Sequence, residues 1–125
     1  MDTFEILSQL CSAAGVSGAE GSAAEAAAKL LGEYGEVTLD NALGSVICKV
    51  GSWEDGKPVM LLDAHIDEIG MIVTYITEDG FLKISGCGGL DTRLLLAQQV
   101  TVYGKEKLTG VVTSTPPHLE KDSSD

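Results

Sequence analysis

An uninterrupted apolar run in the middle of the chain constrains its fold more than any other stretch. Residues 59–62 read Val-Met-Leu-Leu. Four consecutive apolar residues predict a strand that is buried on both faces, as in a sheet covered by helices. Functional sites in such sheets collect at the carboxyl ends of strands. We therefore expect a strand over residues 58–64, with a functional site at its end.

His65 and Asp67 follow this run directly. Their His-x-Asp spacing suits a metal site, because a neutral imidazole gives one ring nitrogen to the metal while a carboxylate accepts the other N–H and fixes the tautomer. A histidine that only hydrogen-bonds a loop fits the same spacing, so both interpretations stay open for this motif alone. Adjacent residues on a strand point to opposite faces, and we therefore expect Glu68 to be structural.

The charge balance and the cysteines limit the partners and the compartment. Eight basic residues against nineteen acidic ones give a formal net charge of -11, which argues against a nucleic-acid partner and an anionic membrane. No apolar stretch reaches the length of a membrane span, and the acidic N-terminus lacks the basic region of a signal peptide. Cys11, Cys48 and Cys87 are far apart and odd in number, which predicts free thiols in a cytoplasmic protein.

Two helices are predicted at the start of the chain. Asp2 and Glu5 have the spacing of a capping box, and apolar residues recur at helical intervals over residues 3–14. Ser17 and Glu20 repeat the capping-box spacing ahead of an alanine-rich stretch. We therefore expect Ser17 to cap a second helix.

The remainder of the chain has the pattern of short strands. Alternating runs predict three hairpins, with strands over 36–39 and 45–50, 71–77 and 81–84, and 100–103 and 108–113. The first 70 residues thus have an α/β pattern, and the residues after Gly70 an all-β pattern. We predict one domain over 1–70, a second over 71–118 and a polar tail over 119–125. His118, near the end of the second domain, is expected to be an exposed turn residue.

Six short motifs together point to one family. In chain order they are Gly15 to Gly21 (GVSGAEG), Asp40 with Gly44, Ala64 to Gly70 (AHIDEIG), Gly80 to Leu82 (GFL), Gly88 to Arg93 (GGLDTR) and Pro116 to His118 (PPH). Each motif is modest by itself, but all six in this order cover nearly the whole chain. The sequence closely resembles the glutamyl or deblocking aminopeptidases, which are dinuclear metallopeptidases that assemble as tetrahedral particles (some members were formerly labelled endoglucanases).

The resemblance implies an α/β fold and a metal site. Residues 1–70 would begin a helix-covered mixed-sheet metallopeptidase domain, and residues 71–118 would be part of an inserted small all-β, barrel-like domain used in assembly. The histidine that matches His65 is a ligand of one of two zinc or cobalt ions. The aspartate that matches Asp67 stands behind it and orients the imidazole. The resemblance adds no catalytic role for His118.

The resemblance also implies an activity and partners. The family removes N-terminal residues from peptides and forms homo-oligomers, tetrahedral dodecamers, in the cytoplasm. Its chains are much longer, and the remaining metal ligands and the general base lie beyond the part that resembles this chain. We therefore expect the chain to match the N-terminal third of such an enzyme, to hold at most a partial metal site and to be inactive by itself. The alternative is a truncated, non-catalytic assembly or interaction module that acts through its β domain.

Overall fold

Two short helices begin the chain in the computed structural model, which describes residues 2–40 and 42–114. Helix α1 spans Thr3–Ser12 and helix α2 spans Gly21–Leu31. The backbone N–H of Glu5 donates to Asp2 Oδ1 at 2.8 Å, and the N–H of Asp2 donates to Glu5 Oε2 at 3.0 Å. These two reciprocal bonds satisfy amide groups that the first helical turn leaves free, and they confirm the predicted capping box of α1.

The capping box predicted for α2 does not form. Glu20 is the N-cap residue and makes no side-chain capping bond, while its carboxylate accepts from the backbone N–H of Gly18. The Ser17 hydroxyl donates instead to Asp67, fifty residues further along the chain. The prediction was wrong because the capping pattern describes only local bonds, whereas a distant carboxylate competes for this hydroxyl.

Three antiparallel hairpins follow, as predicted. The strands are β1 Glu36–Leu39 with β2 Val46–Lys49, β3 Gly70–Ile76 with β4 Leu82–Cys87, and β5 Gln99–Tyr103 with β6 Lys107–Val111. In the first turn the backbone N–H of Gly44 donates to Asp40 O at 2.8 Å, and Gly44 has a positive φ of 72°. This is the left-handed conformation that glycine adopts without steric cost.

The chain divides into two compact units, residues 1–89 and 90–125. In the first unit α2 packs against α1, β1 and β2, and the buried apolar side chains of its described part are Ala23, Ala24 and Leu30. The described part of the second unit contains a short 3-10 turn, Thr92–Leu94, and the β5–β6 hairpin. The domain boundary expected at Gly70 stays a prediction.

The apolar run 59–62 is neither paired nor buried, so the predicted strand over 58–64 is wrong for this structure. Leu61 is 84% exposed and Leu62 is 87% exposed. A strand buried on both faces needs strands at both edges and cover on both faces. Among the residues that the structure describes, the strands pair only within the three hairpins, and none of them borders this run.

The described helices are short, and the end of the chain lies outside the described residues. Within residues 2–40 and 42–114, no helix is long and apolar enough to cross a membrane. His118, the Pro-Pro pair before it and the tail over 119–125 lie outside the described residues.

Candidate metal-ligand site at His65

The side chains of His65 and Asp67 lie in contact. His65 Nδ1 is 2.9 Å from Asp67 Oδ1. A carboxylate accepts only, so this contact places the imidazole proton on Nδ1 when the ring is neutral. The other ring nitrogen, Nε2, then carries a lone pair, and the side chain is 87% exposed. In this tautomer the imidazole can offer Nε2 to a metal ion.

Asp67 has a second partner that sequence reasoning missed. The Ser17 hydroxyl donates to Asp67 Oδ2, so each carboxylate oxygen has its own hydrogen bond. The bond from Ser17, followed by that from His65, lowers the pKa of Asp67 below its usual value. The signal in the sequence was the motif that contains Ser17, but its spacing to Glu20 indicated a helix cap instead.

The segment of Gly15 to Ser17 reaches Asp67 because it is paired with Glu68. Val16 and Glu68 form an isolated parallel bridge, and the Glu68 N–H donates to Gly15 O at 2.7 Å. The Glu68 side chain accepts from the Gly15 N–H at 3.1 Å. Glu68 thus uses both its backbone and its carboxylate to hold this segment, in agreement with the structural role that we expected for it.

Two glycines permit this close approach. A Cβ at Gly70 would lie 2.5 Å from Val16 Cγ2, and a Cβ at Gly15 would lie 2.9 Å from Ala23 Cβ. Both distances are shorter than carbon atoms tolerate, so any larger residue would force the segment away. Because glycine stands at both positions, the segment that carries Ser17 fits between α2 and residues 66–70.

His65 and Asp67 border a cleft of about 640 Å³ in the first unit. Its walls include apolar side chains of α1 and α2, among them Leu10 and Leu30. Glu20 and Asp63 also line it. With Asp67, they are the acidic residues in the lining of this cleft.

The described residues supply one candidate ligand, not a full set. Among residues 2–40 and 42–114, no group of three or more His, Cys, Asp or Glu side chains could hold a metal ion. Protein metal centres of the zinc type use three or four protein ligands. His65, supported by Asp67, fits one ligand position of such a centre, and the other positions are not filled from this part of the chain.

Comparison with known proteins identifies the family of the chain. The family model for M42 glutamyl aminopeptidases matches residues 44–125, a range that includes His65 and Asp67. The lysyl aminopeptidase of Pyrococcus furiosus is 29% identical over 127 residues, and the match covers 100% of this chain and 36% of that protein. The chain therefore spans about a third of the length of the curated relatives that it matches.

Solved structures are similar over nearly the whole chain. The TET aminopeptidase of a marine sediment archaeon of the Thaumarchaeota has a TM-score of 0.81 and 32% identity, and the match covers 95% of this chain and 33% of that one. PhTET1-12s, described as a dodecamer, has a TM-score of 0.78 and 35% identity, with 97% and 36% covered. These matches confirm the predicted fold class. Since the family model matches more than half of the sequence, the chain belongs to the M42 glutamyl aminopeptidase family.

Proposed function

We propose that this chain contributes a metal ligand and its supporting hydrogen bonds to a metal-dependent aminopeptidase, which hydrolyses N-terminal residues from peptides. The observation that carries the proposal is the 2.9 Å contact between His65 Nδ1 and Asp67 Oδ1 in an M42 family member. This contact leaves Nε2 available beside a cleft whose lining includes Glu20, Asp63 and Asp67. The relatives named as aminopeptidases support the reaction class.

The proposed roles of the two residues rest on the family membership of the chain and on their chemistry. His65 would hold one of two divalent ions, zinc or cobalt, through Nε2. Asp67 would keep the proton on Nδ1 and fix the plane of the ring. Bound ions of this kind polarise a carbonyl group and activate water. The carboxylates at the cleft would also attract the protonated N-terminus of a peptide.

The remaining machinery would come from additional polypeptide. A dinuclear centre needs several ligands for each ion, and we infer that the 125-residue chain is inactive by itself. By analogy with the dodecamer solved for a relative, we also propose a homo-oligomer, with neither nucleic acid nor membrane as a partner. A cytoplasmic location is part of the same proposal.

The alternative, a non-catalytic assembly module acting through the β hairpins, is not favoured. The relatives that match the chain are named as aminopeptidases, and the match includes the candidate ligand as well as the hairpins. A purely structural module would have no need for the exposed imidazole that Asp67 orients.

A chimera tests the proposal. This chain would replace the matching 36% of the Pyrococcus furiosus lysyl aminopeptidase, and the product would be assayed with aminoacyl substrates after zinc or cobalt loading. We expect metal-dependent activity that His65→Ala abolishes. Glu54→Gln, which changes a loop residue paired with Lys57, is the matched control and keeps the activity. A folded chimera whose activity survives His65→Ala would overturn the proposal.

A further inference from the structure

We propose that Ser17 is a positioning residue for the metal ligand. Its hydroxyl holds Asp67, and Asp67 in turn holds the imidazole of His65. The two hydrogen bonds are observed in the structure. Their importance for metal binding rests on the function proposed above. In the site predicted from the sequence, Asp67 had no partner besides His65.

Two hydrogen bonds orient the Asp67 carboxylate. The torsion that turns a carboxylate about its bond to Cβ is broad, so one hydrogen bond leaves it free to swing. Here Oδ2 accepts from Ser17 while Oδ1 faces His65 Nδ1 at 2.9 Å. With both oxygens engaged by different partners, the plane of the carboxylate is defined. Ser17 therefore selects the rotation in which Oδ1 points at the imidazole.

Backbone hydrogen bonds hold Ser17 in position. Its backbone N–H donates to Glu68 O at 3.4 Å, and the Ala19 N–H donates to Val16 O at 2.7 Å across a tight turn. Gly18 completes that turn with a positive φ of 87°. The backbone around Ser17 is thus fixed independently of its hydroxyl, which makes the hydroxyl a preset donor toward Asp67.

Ser17 does not cap helix α2. A serine shortly before a helix usually caps the free N–H groups of the first turn. The N-cap of α2 is Glu20, and no side chain makes a capping bond there. Among the described contacts, the Ser17 hydroxyl bonds only Asp67. The position of the hydroxyl is therefore explained by the site and not by the helix.

The experiment measures the tautomer of His65 without requiring metal or activity. The chain has two histidines, so a His118→Gln background leaves His65 as the only imidazole. Nitrogen-15 NMR, at a pH well above the ordinary imidazole pKa of about 6.5, reports the ratio of the two neutral tautomers. We expect the Nδ1–H form to dominate. In Ser17→Ala the ratio of the Nδ1–H tautomer to the Nε2–H tautomer falls about threefold or more, because Asp67 loses the hydrogen bond that orients its carboxylate.

Two further variants distinguish the loss of the Ser17 hydrogen bond from a general loss of stability. Ser17→Thr keeps a hydroxyl and restores the ratio, whereas Ser22→Ala, which removes an exposed hydroxyl in α2, leaves the ratio unchanged. In the chimera, where folding does not depend on this chain alone, Ser17→Ala lowers metal affinity about tenfold by equilibrium dialysis and Ser17→Thr recovers it.

The result that overturns the inference is an unchanged tautomer ratio and an unchanged metal affinity in Ser17→Ala. An active chimera with that outcome would leave the proposed function intact and remove only the role of Ser17. Conversely, a tautomer ratio of the 125-residue chain that depends on Ser17, together with a folded, metal-loaded chimera that has no peptidase activity, would support the positioning role and reject the proposed function.

Discussion

The contacts of Asp67 show how few residues define the candidate ligand. The carboxylate of Asp67 accepts from Ser17, near the start of the chain, and contacts His65, which lies two residues before Asp67. Both donors favour the ionised carboxylate, and an ionised acceptor is the stronger partner for an imidazole N–H. Ser17, Asp67 and His65 therefore form one hydrogen-bonded chain of side chains. In the proposed site, a change to any of the three would alter the state of the exposed nitrogen of His65.

A single ligand residue does not retain a metal ion. We expect that the 125-residue chain, loaded with zinc or cobalt and dialysed exhaustively, holds no stoichiometric metal by elemental analysis. The reason is that a protein centre of this type needs three or four ligands, and the described residues contain no suitable group of three. His65→Ala is the comparison sample. A stoichiometric ion that is lost in His65→Ala would contradict the expectation and reveal further ligands.

The second unit contains its own ion pair, between Asp91 and Arg93. Arg93 Nη2 donates to Asp91 Oδ2 at 2.7 Å and Nε donates to Oδ1 at 2.9 Å. These side-chain bonds, and then the Arg93 backbone N–H, lower the pKa of Asp91 below its ordinary value of 3.8. A carboxyl whose folded pKa is lowered contributes stability above its unfolded pKa and loses it as the pH falls through the folded pKa.

Arg93→Gln tests this ion pair. We expect the pKa of Asp91, followed by carbon-13 NMR of its carboxyl group, to rise toward 3.8 in the variant. The variant then loses less stability than the original chain as the pH falls below that value. Lys105→Gln removes the same charge from the turn between β5 and β6 and leaves the Asp91 pKa in place. Equal pKa values in the original chain and in Arg93→Gln would refute the assignment.

At the scale of elements, the sequence patterns correctly predicted the structures whose hydrogen bonds join residues close in sequence. The α1 capping box and the three hairpins were found from residue spacing because their bonds join residues close in sequence. Ser17 was assigned wrongly because its partner is fifty residues away. The run 59–62 was predicted as a buried strand because periodicity reports the environment that a segment suits, while actual burial requires neighbours that the described residues lack.

The junction between the segment of Val16 and β3 depends on Gly70. A Cβ there would lie 2.5 Å from Val16 Cγ2, and the β-branched valine has little freedom to move away. We expect Gly70→Ala to lower the free energy of unfolding by about 1–3 kcal/mol, as overpacking does. Urea denaturation followed by circular dichroism measures it. Gly89→Ala is the control, since nothing lies within 4 Å of its Cβ position, and a similar loss in both variants would count against the contact.

At the scale of the whole molecule, exposed apolar surface is the dominant feature of the first unit. Met60 and Leu61 are each 84% exposed, whereas the described core of this unit consists of Ala23, Ala24 and Leu30. Soluble monomers rarely leave such a continuous apolar run uncovered. Solved relatives of nearly three times this length share the fold with TM-scores of 0.78 to 0.81. In the proposed enzyme, additional polypeptide would cover the run.

Leu61→Ala distinguishes an exposed run from a covered one. In the isolated chain Leu61 is 84% exposed, and we expect the substitution to change the free energy of unfolding by less than about 0.5 kcal/mol. In the chimera the run would be buried, and the same substitution costs about 2–5 kcal/mol through lost burial and the cavity left behind. Urea titrations measure the free energy of unfolding with and without Leu61→Ala, in the isolated chain and in the chimera.

The isolated chain should also unfold with a low midpoint, because so little apolar surface leaves water when it folds. A cooperative transition at high temperature, or an equal cost of Leu61→Ala in both settings, would show that the run is already covered in the isolated chain. Such a result would mean that contacts within this chain or between its copies, and not additional polypeptide, cover the apolar run. A dependence of the midpoint on protein concentration would then identify the copies as the cover.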